Sequence, residues 1–183
     1  MNTPYPEVNL FMQRLYEVFM NAKYASSVSR YHARCTNHLS KTVLGVTYLS
    51  GLVLLVSGAL PHLIEPRWAS LIGGIVLLTA DIIRRLAENV YRHREKALAF
   101  KEVCQSLDQI FSSYEPILVQ IRKGDLAEAD ILERARKISD ETLAVWNKLP
   151  PELNLERHEE FTEEANLMSD LYFKQYHDFS TNE

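Results

Sequence analysis

Histidine, cysteine and carboxylate side chains are the groups in this sequence that could perform catalysis or bind a metal ion. His32, Cys35 and His38 are spaced by three residues, which places them on one stripe of a helix and suggests a partial metal site. No fourth ligand accompanies them, so filling of a helix seam or an interfacial contact is the competing interpretation. The run from His158 to Glu164 does not match HExxH, and its carboxylates are typical of a solvated helix face. We expect no catalytic, cofactor-binding or metal-binding residues and no enzymatic activity.

The composition of this 183-residue chain excludes further classes of protein. It holds only six glycines and neither a GxGxxG nor a GxxxxGK(S/T) motif, so a glycine-rich nucleotide loop is not expected. Its two cysteines, Cys35 and Cys104, form no CxxC pair, which favours reduced thiols over a disulfide scaffold. Residues 1–101 carry 12 Lys/Arg against 6 Asp/Glu (net +6), whereas residues 102–183 carry 8 against 18 (net −10). We expect the basic half near an anionic surface and the acidic half in solvent.

Two apolar runs within residues 42–86 predict a transmembrane hairpin. The run from Val43 to Ile64 has 22 residues without Asp, Glu, Lys or Arg, and at about 1.5 Å per residue such a helix crosses a hydrocarbon core of about 30 Å. The second span, about 68–86, is shorter in its apolar part and contains an acidic residue. A short connection containing Pro61 and Pro66 makes the two helices antiparallel neighbours. A soluble bundle with a very apolar central hairpin is the alternative.

Basic residues flank both runs and predict the orientation of the hairpin. Lys and Arg near a span stay on the cytoplasmic side, and the connection holds only Arg67, so both termini are expected in the cytoplasm. Candidate contacts with lipid headgroups follow the second run, and they are Arg84, Arg85, Arg92, Arg94 and Lys96. Enforcing topology is the simpler role for these residues. Because they would face lipid, we expect no direct binding of nucleic acid.

Small and polar residues recur within the hairpin at spacings of four and seven, which lets helix backbones approach closely. The candidate packing or pore residues are Thr47, Ser50, Gly51, Ser57, Gly58, Ser70, Gly73, Gly74, Thr79 and Asp81. The spacing does not separate packing within one hairpin from packing between copies. Two helices alone cannot enclose a water path, so a channel would require an oligomer. Asp81 either pairs with Arg85, four residues on, or lines a pore.

Helical periodicity continues on both sides of the hairpin. In the N-terminal segment, 1–41, apolar residues three and four apart mark one face, and they are Phe11, Leu15, Val18, Ala22, Ala25 and Val28. An exit helix over 87–122 carries a coiled-coil-like seam of Phe100, Val103, Leu107, Ile110, Tyr114, Ile117 and Ile121. Pro116 is expected to kink or restart this helix.

Two acidic helices are predicted to complete the cytoplasmic region, 87–183. Gly124 ends the exit helix, and Asp125 with Glu128 resembles an N-cap for a helix over about 125–148. The last helix, about 152–178, carries apolar positions at Leu155, Phe161, Ala165, Met168, Leu171, Tyr172 and Tyr176. The expected fold class is all-α: a two-helix transmembrane hairpin with long flanking cytoplasmic helices and a C-terminal helical bundle.

The order of these features resembles the SLATT family of two-transmembrane effectors from bacterial conflict systems. The resemblance covers about residues 10–150 and is carried by the basic N-terminal helix (NAKYASSVSRYHARCTNHLSK), the paired spans and the charged exit helix (RRLAENVYRHREKALAFKEVCQSLDQIF). It implies an anti-phage effector that assembles in the bacterial inner membrane and breaches it. It also implies a partner sensor, such as a nucleotide-signal synthase or a retron-type module.

Three functional hypotheses follow. The first is an oligomeric effector that permeabilises or depolarises the inner membrane when a sensor triggers it. The second is a membrane-anchored scaffold whose acidic C-terminal helices recruit a soluble partner. The third, a small transporter subunit, would require solute uptake that depends on Asp81.

Overall fold

The computed structural model describes residues 6–59, 66–150 and 159–176, and within these ranges it contains helices and turns but no strand. Side chains are described for residues 6–52, 75, 78–150 and 159–176. The helices are α1 (Pro6–Ala59), α2 (Pro66–Tyr114), α3 (Ile117–Lys123), α4 (Glu128–Trp146) and α5 (Glu159–Tyr176). The predicted all-α class is therefore confirmed.

The chain divides into two compact units. One contains the residues up to Arg30 together with those from Leu98 onward, and the other is Tyr31–Ala97. One division falls inside α1 and the other inside α2. The predicted borders at 41/42 and 86/87 also lie within these helices. Those borders mark where the two helices are predicted to enter the lipid bilayer, and this placement remains a prediction.

In the first unit, α1 and α2 pack antiparallel along the two predicted apolar faces. Phe19 contacts Phe111, with ring centroids 4.9 Å apart, and further along α1 Ser26 lies beside Cys104. The six apolar residues predicted for the α1 face are all buried, as are five of the seven seam residues of α2 and α3, while Ile110 and Ile121 are partly buried. Burial of both faces is therefore confirmed.

Pro116 and Gly124 end helices where the sequence predicts. α2 stops at Tyr114 and α3 begins after Pro116, which has no N–H to continue the helical hydrogen bonds. Gly124 follows α3 in the left-handed region, at φ 72°. The N–H of Gly124 donates to the Ile121 carbonyl, and that of Asp125 to the Gln120 carbonyl, as in a Schellman motif.

The predicted N-cap role of Asp125 is wrong. The residue before α4 is Ala127, with extended backbone and no side-chain capping hydrogen bond. The physical reason is that the Schellman motif of α3 already uses the backbone of Asp125. The partly buried Leu126 then packs against the core, and α4 starts three residues after Asp125.

α5 packs on the rest of the first unit through part of its predicted apolar face. Ala165 is buried, and Phe161 and Tyr172 pack against the core. The predicted face is wrong at Met168, Leu171 and Tyr176, which are exposed, whereas Ser169 and Phe173 are buried. Ser169 can occupy a buried site because its hydroxyl donates to the Ala165 carbonyl at 2.7 Å. Leu155 lies outside the described residues.

Tyrosine–carboxylate hydrogen bonds attach α4 and α5 to the rest of this unit. The Tyr16 hydroxyl donates to Asp170 at 2.8 Å and that of Tyr114 to Glu141 at 3.2 Å, while Tyr172 donates to Glu115. Burial, followed by the neighbouring carboxylate, raises the pKa of each tyrosine to about 12.

We expect these bonds to make the first unit sensitive to alkali. A tyrosine whose pKa is raised by folding contributes stability that is complete below its ordinary value of 10.0 and is lost as pH rises through about 12. Urea denaturation followed by circular dichroism should show the free energy of unfolding falling over this range. The fall should be smaller for Y16F/Y114F/Y172F, but unchanged for the exposed control Y91F. Equal pH dependence in all three chains would refute the assignment.

Candidate functional site

The second unit exposes large apolar side chains among the residues whose side chains the structure describes. On α1, Tyr48, Leu49 and Leu52 are 72%, 68% and 62% exposed. Leu44 on α1 is exposed as well, as are three α2 residues, Ile75, Leu78 and Ile82. Among the described side chains of this unit, His32 alone is buried. Exposure of such a surface to water is unfavourable, and soluble monomers rarely expose apolar patches larger than a few hundred Å².

The two predicted spans are described only in part. Side chains of the first span are described through Leu52, and those of the second at Ile75 and from Leu78 onward. No helix long and apolar enough to cross a membrane is found within the described part of the chain.

The serine and threonine hydroxyls described in the hairpin are hydrogen-bonded within their own helices. Thr47 donates to the Val43 carbonyl at 2.8 Å and Ser50 to the Val46 carbonyl at 2.7 Å. On α2, Thr79 donates to the carbonyl of the residue four before it. These donors therefore need neither water nor a second helix, which makes them compatible with an apolar environment. The side chains of Ser57 and Ser70 lie outside the described set.

Gly51 has room around it. A Cβ atom added at Gly51, or at Gly45, would meet nothing within 4 Å. The described part of the hairpin therefore does not use Gly51 for close helix packing within one chain. Gly58 lies in α1, and Gly73 and Gly74 lie in α2, but the surroundings of these three glycines are outside the described set.

Asp81 forms the intrahelical pair that its spacing predicts. The Arg85 Nε atom donates to Asp81 Oδ2 at 3.0 Å, with both side chains exposed. The predicted pair with Arg85 is thus confirmed, but α2 continues to Tyr114, so Asp81 does not lie at the end of a helix. The pair places two opposite charges together at the end of the second apolar run, where isolated charges are costly.

The remaining basic candidates differ in their surroundings. Arg84 Nε lies 3.4 Å from Glu88 Oε1, an exposed pair one helical turn apart. Arg92 and Arg94 are exposed, and Lys96 is half-buried. A shallow, open groove of about 410 Å³ lies along this face of α2, and its described lining residues all belong to this one helix: Arg84, Ala87, Glu88, Tyr91 and Arg92.

A histidine pair joins α1 and α2 in the second unit, which the sequence reasoning did not find. The Nδ1 atoms of His32 and His93 lie 2.8 Å apart, within hydrogen-bonding distance. A signal was present, because His32 follows Val28 by four residues and His93 precedes Phe100 by seven, so each continues a buried seam. The Tyr31 and His32 rings also lie near each other in a T-shaped arrangement, with centroids 5.2 Å apart.

The predicted stripe of His32, Cys35 and His38 is not assembled into a metal site. His32 is buried, Cys35 is half-buried and His38 is exposed. Within the described ranges, no group of three or more His, Cys, Asp or Glu side chains is placed to hold a metal ion.

Comparison with known protein families, with characterised proteins and with solved structures finds no match to this chain.

Proposed function

We propose that the chain is a membrane-inserted helical effector whose Val43–Ile83 hairpin is dissolved in lipid, with both termini in the cytoplasm. The observation that carries this proposal is the exposure of Leu44, Tyr48, Leu49 and Leu52 in a unit where His32 alone is buried among the described side chains. Lipid would cover these side chains without requiring a protein core. The hydroxyls bonded to their own helix carbonyls support the same environment.

The proposed activity is depolarisation or permeabilisation of the bacterial inner membrane during anti-phage defence. It rests on the resemblance to SLATT effectors, which implies assembly in the membrane after a partner sensor detects infection. No cofactor and no catalytic residue are assigned in this proposal. Copies would pack through the small-residue face, with Ser50, Ser57, Thr79 and Asp81 as candidate polar lining. The open space at Gly51 supports packing between chains.

Glycine substitutions test the assembly step. A Cβ atom added at Gly51 meets nothing within 4 Å in the single chain, but a leucine there would overpack an interface between copies, at a cost of about 1–3 kcal/mol. G51L should therefore lower depolarisation roughly 5- to 150-fold. G45L is the matched control, since a Cβ added at Gly45 also meets nothing within 4 Å and Gly45, six residues before Gly51, lies on another face of α1.

The measurement is dye-reported membrane potential in a bacterial host that expresses each variant together with the genes flanking its own. Wild type and G45L should depolarise the cells, and G51L should do so to the lower extent given above, while all three sediment with membranes. Persistent polarisation with the wild type under a confirmed trigger would overturn the proposed activity. Equal depolarisation by G51L would overturn the assigned packing face.

The scaffold hypothesis remains a second candidate because α5 has an apolar outer face. Leu167, Met168 and Leu171 are exposed beside acidic residues of the same helix, and residues 102–183 carry a net charge of −10. A soluble partner with apolar and basic residues would match this face. Replacing residues 43–86 with an unrelated hairpin separates the two functions: a scaffold keeps working and a membrane-disrupting effector does not.

A further inference from the structure

We infer that the groove formed by Arg84, Ala87, Glu88, Tyr91 and Arg92 binds the phosphate group of an anionic phospholipid. The groove has a volume of about 410 Å³ and lies along α2 just beyond the second apolar run. This inference rests on the membrane insertion proposed above and adds a particular headgroup site to it. Phosphate binding is thereby assigned to Arg84 and Arg92, and not to Arg85, Arg94 or Lys96.

Charge is the first argument for a phosphate. The groove contains two guanidinium groups and one carboxylate, which leaves one positive charge in excess. Glu88 engages Arg84 only through an exposed contact of 3.4 Å, and exposed pairs of this kind are weak. Arg85 pairs with Asp81 at 3.0 Å, also through an exposed contact, and does not line the groove. A phosphodiester carries one negative charge and accepts paired hydrogen bonds from a guanidinium group.

The direction of α2 also favours contact between its basic side chains and a lipid headgroup. Side chains on an α-helix lean toward its N-terminus. α2 runs from the apolar segment outward, so Arg84 and Arg92 lean back toward the proposed lipid. Basic residues of α1 precede the apolar segment and lean away from it. The direction of the chain therefore favours α2 over α1 as the place for a headgroup contact.

Depth along the helix agrees with this placement. Arg84 lies within the last turn of the predicted second span and can extend its guanidinium to the interface. Arg92 follows the span's end at Leu86 by six residues, which is about 9 Å along the helix axis. The headgroup region is roughly 5–7 Å thick on each side, within reach of a long side chain leaning toward it. Tyr91, which is exposed, is an aromatic residue of the kind enriched at membrane interfaces.

The test uses the full chain in mixed detergent micelles containing equal amounts of phosphatidylglycerol and phosphatidylcholine, with bound lipid counted by native mass spectrometry. Wild type should retain phosphatidylglycerol preferentially. R84Q/R92Q should lose this preference roughly tenfold to thirtyfold, because each arginine near the surface contributes about 1 kcal/mol. R94Q/K96Q removes the same charge outside the groove and should behave as wild type.

Further measurements distinguish a lipid phosphate from a free phosphate. They also distinguish failure of this inference from failure of the proposed function. Glycerol phosphate and inorganic phosphate at the same concentration should not displace the lipid; displacement by either would assign the site to a free phosphate and overturn the lipid inference. Equal losses in the two double variants would mean that only overall charge matters, and would also overturn it. Circular dichroism and sedimentation with vesicles are measured in parallel. Normal insertion without lipid preference refutes this inference alone, whereas failure to insert refutes the proposed function as well.

Discussion

Lysine at both Leu49 and Leu52 will remove the chain from the membrane fraction. Each lysine near the middle of a span costs about 2.5–3.5 kcal/mol on an insertion scale, so the double substitution costs roughly 5–7 kcal/mol. In a soluble protein the same change would be nearly neutral, because substitutions at exposed positions usually alter stability by less than about 0.5 kcal/mol. The two environments therefore predict opposite outcomes for L49K/L52K.

A matched control exists on α5. Leu167 and Leu171 are 62% and 60% exposed, close to the values for Leu52 and Leu49, 62% and 68%, but they lie in the acidic half of the chain. L167K/L171K should sediment with membranes as wild type does after an alkaline carbonate wash. If both double variants stay in the membrane fraction, or if the wild-type chain is monodisperse in buffer without detergent, the lipid-embedded hairpin is refuted.

Truncation of Phe19 is the second substitution with a large expected effect. Its buried ring packs against three others, with centroid distances of 4.9 Å to Phe111, 4.5 Å to Tyr172 and 6.1 Å to Phe173. The Lys23 ammonium group also lies 4.5 Å from the Phe19 centroid. Replacing a buried phenylalanine with alanine costs about 3–5 kcal/mol. F19A should therefore destabilise the first unit by this amount and weaken the hold on α5.

Equilibrium urea unfolding in detergent gives the stability change, and limited proteolysis reports whether α5 is released. The exposed Leu143 on α4 provides the control, since L143A should change the free energy of unfolding by less than about 0.5 kcal/mol. F19A should also make α5 more sensitive to protease. A loss of stability under about 1 kcal/mol in F19A would show that this ring cluster does not hold the unit together.

Local rules predicted much of the helical organisation. The three-and-four spacing from Phe11 to Val28 identified the buried face of α1, because a helix buries one stripe when it packs on a neighbour. Pro116 and Gly124 marked helix ends through backbone chemistry alone. The Asp81–Arg85 pair also followed from spacing within one helix.

The failures involve choices that local sequence does not fix. Asp125 has the right side chain for an N-cap, but the turn after α3 uses its backbone. α5 offers two apolar stripes, and contact with Phe19 and Tyr16 selects the one containing Phe173. The sequence alone could not predict that Ser169 is buried, because its burial depends on the hydrogen bond from its hydroxyl to the Ala165 carbonyl. The histidine pair required alignment of positions 61 residues apart.

The 2.8 Å contact between the Nδ1 atoms of His32 and His93 also fixes where each neutral ring carries its hydrogen. One Nδ1 must carry hydrogen and the other must offer its lone pair, so the neutral rings are held in opposite tautomers. The outer nitrogens are then opposite as well: Nε2 of the donating ring is an acceptor, and Nε2 of the accepting ring is a donor.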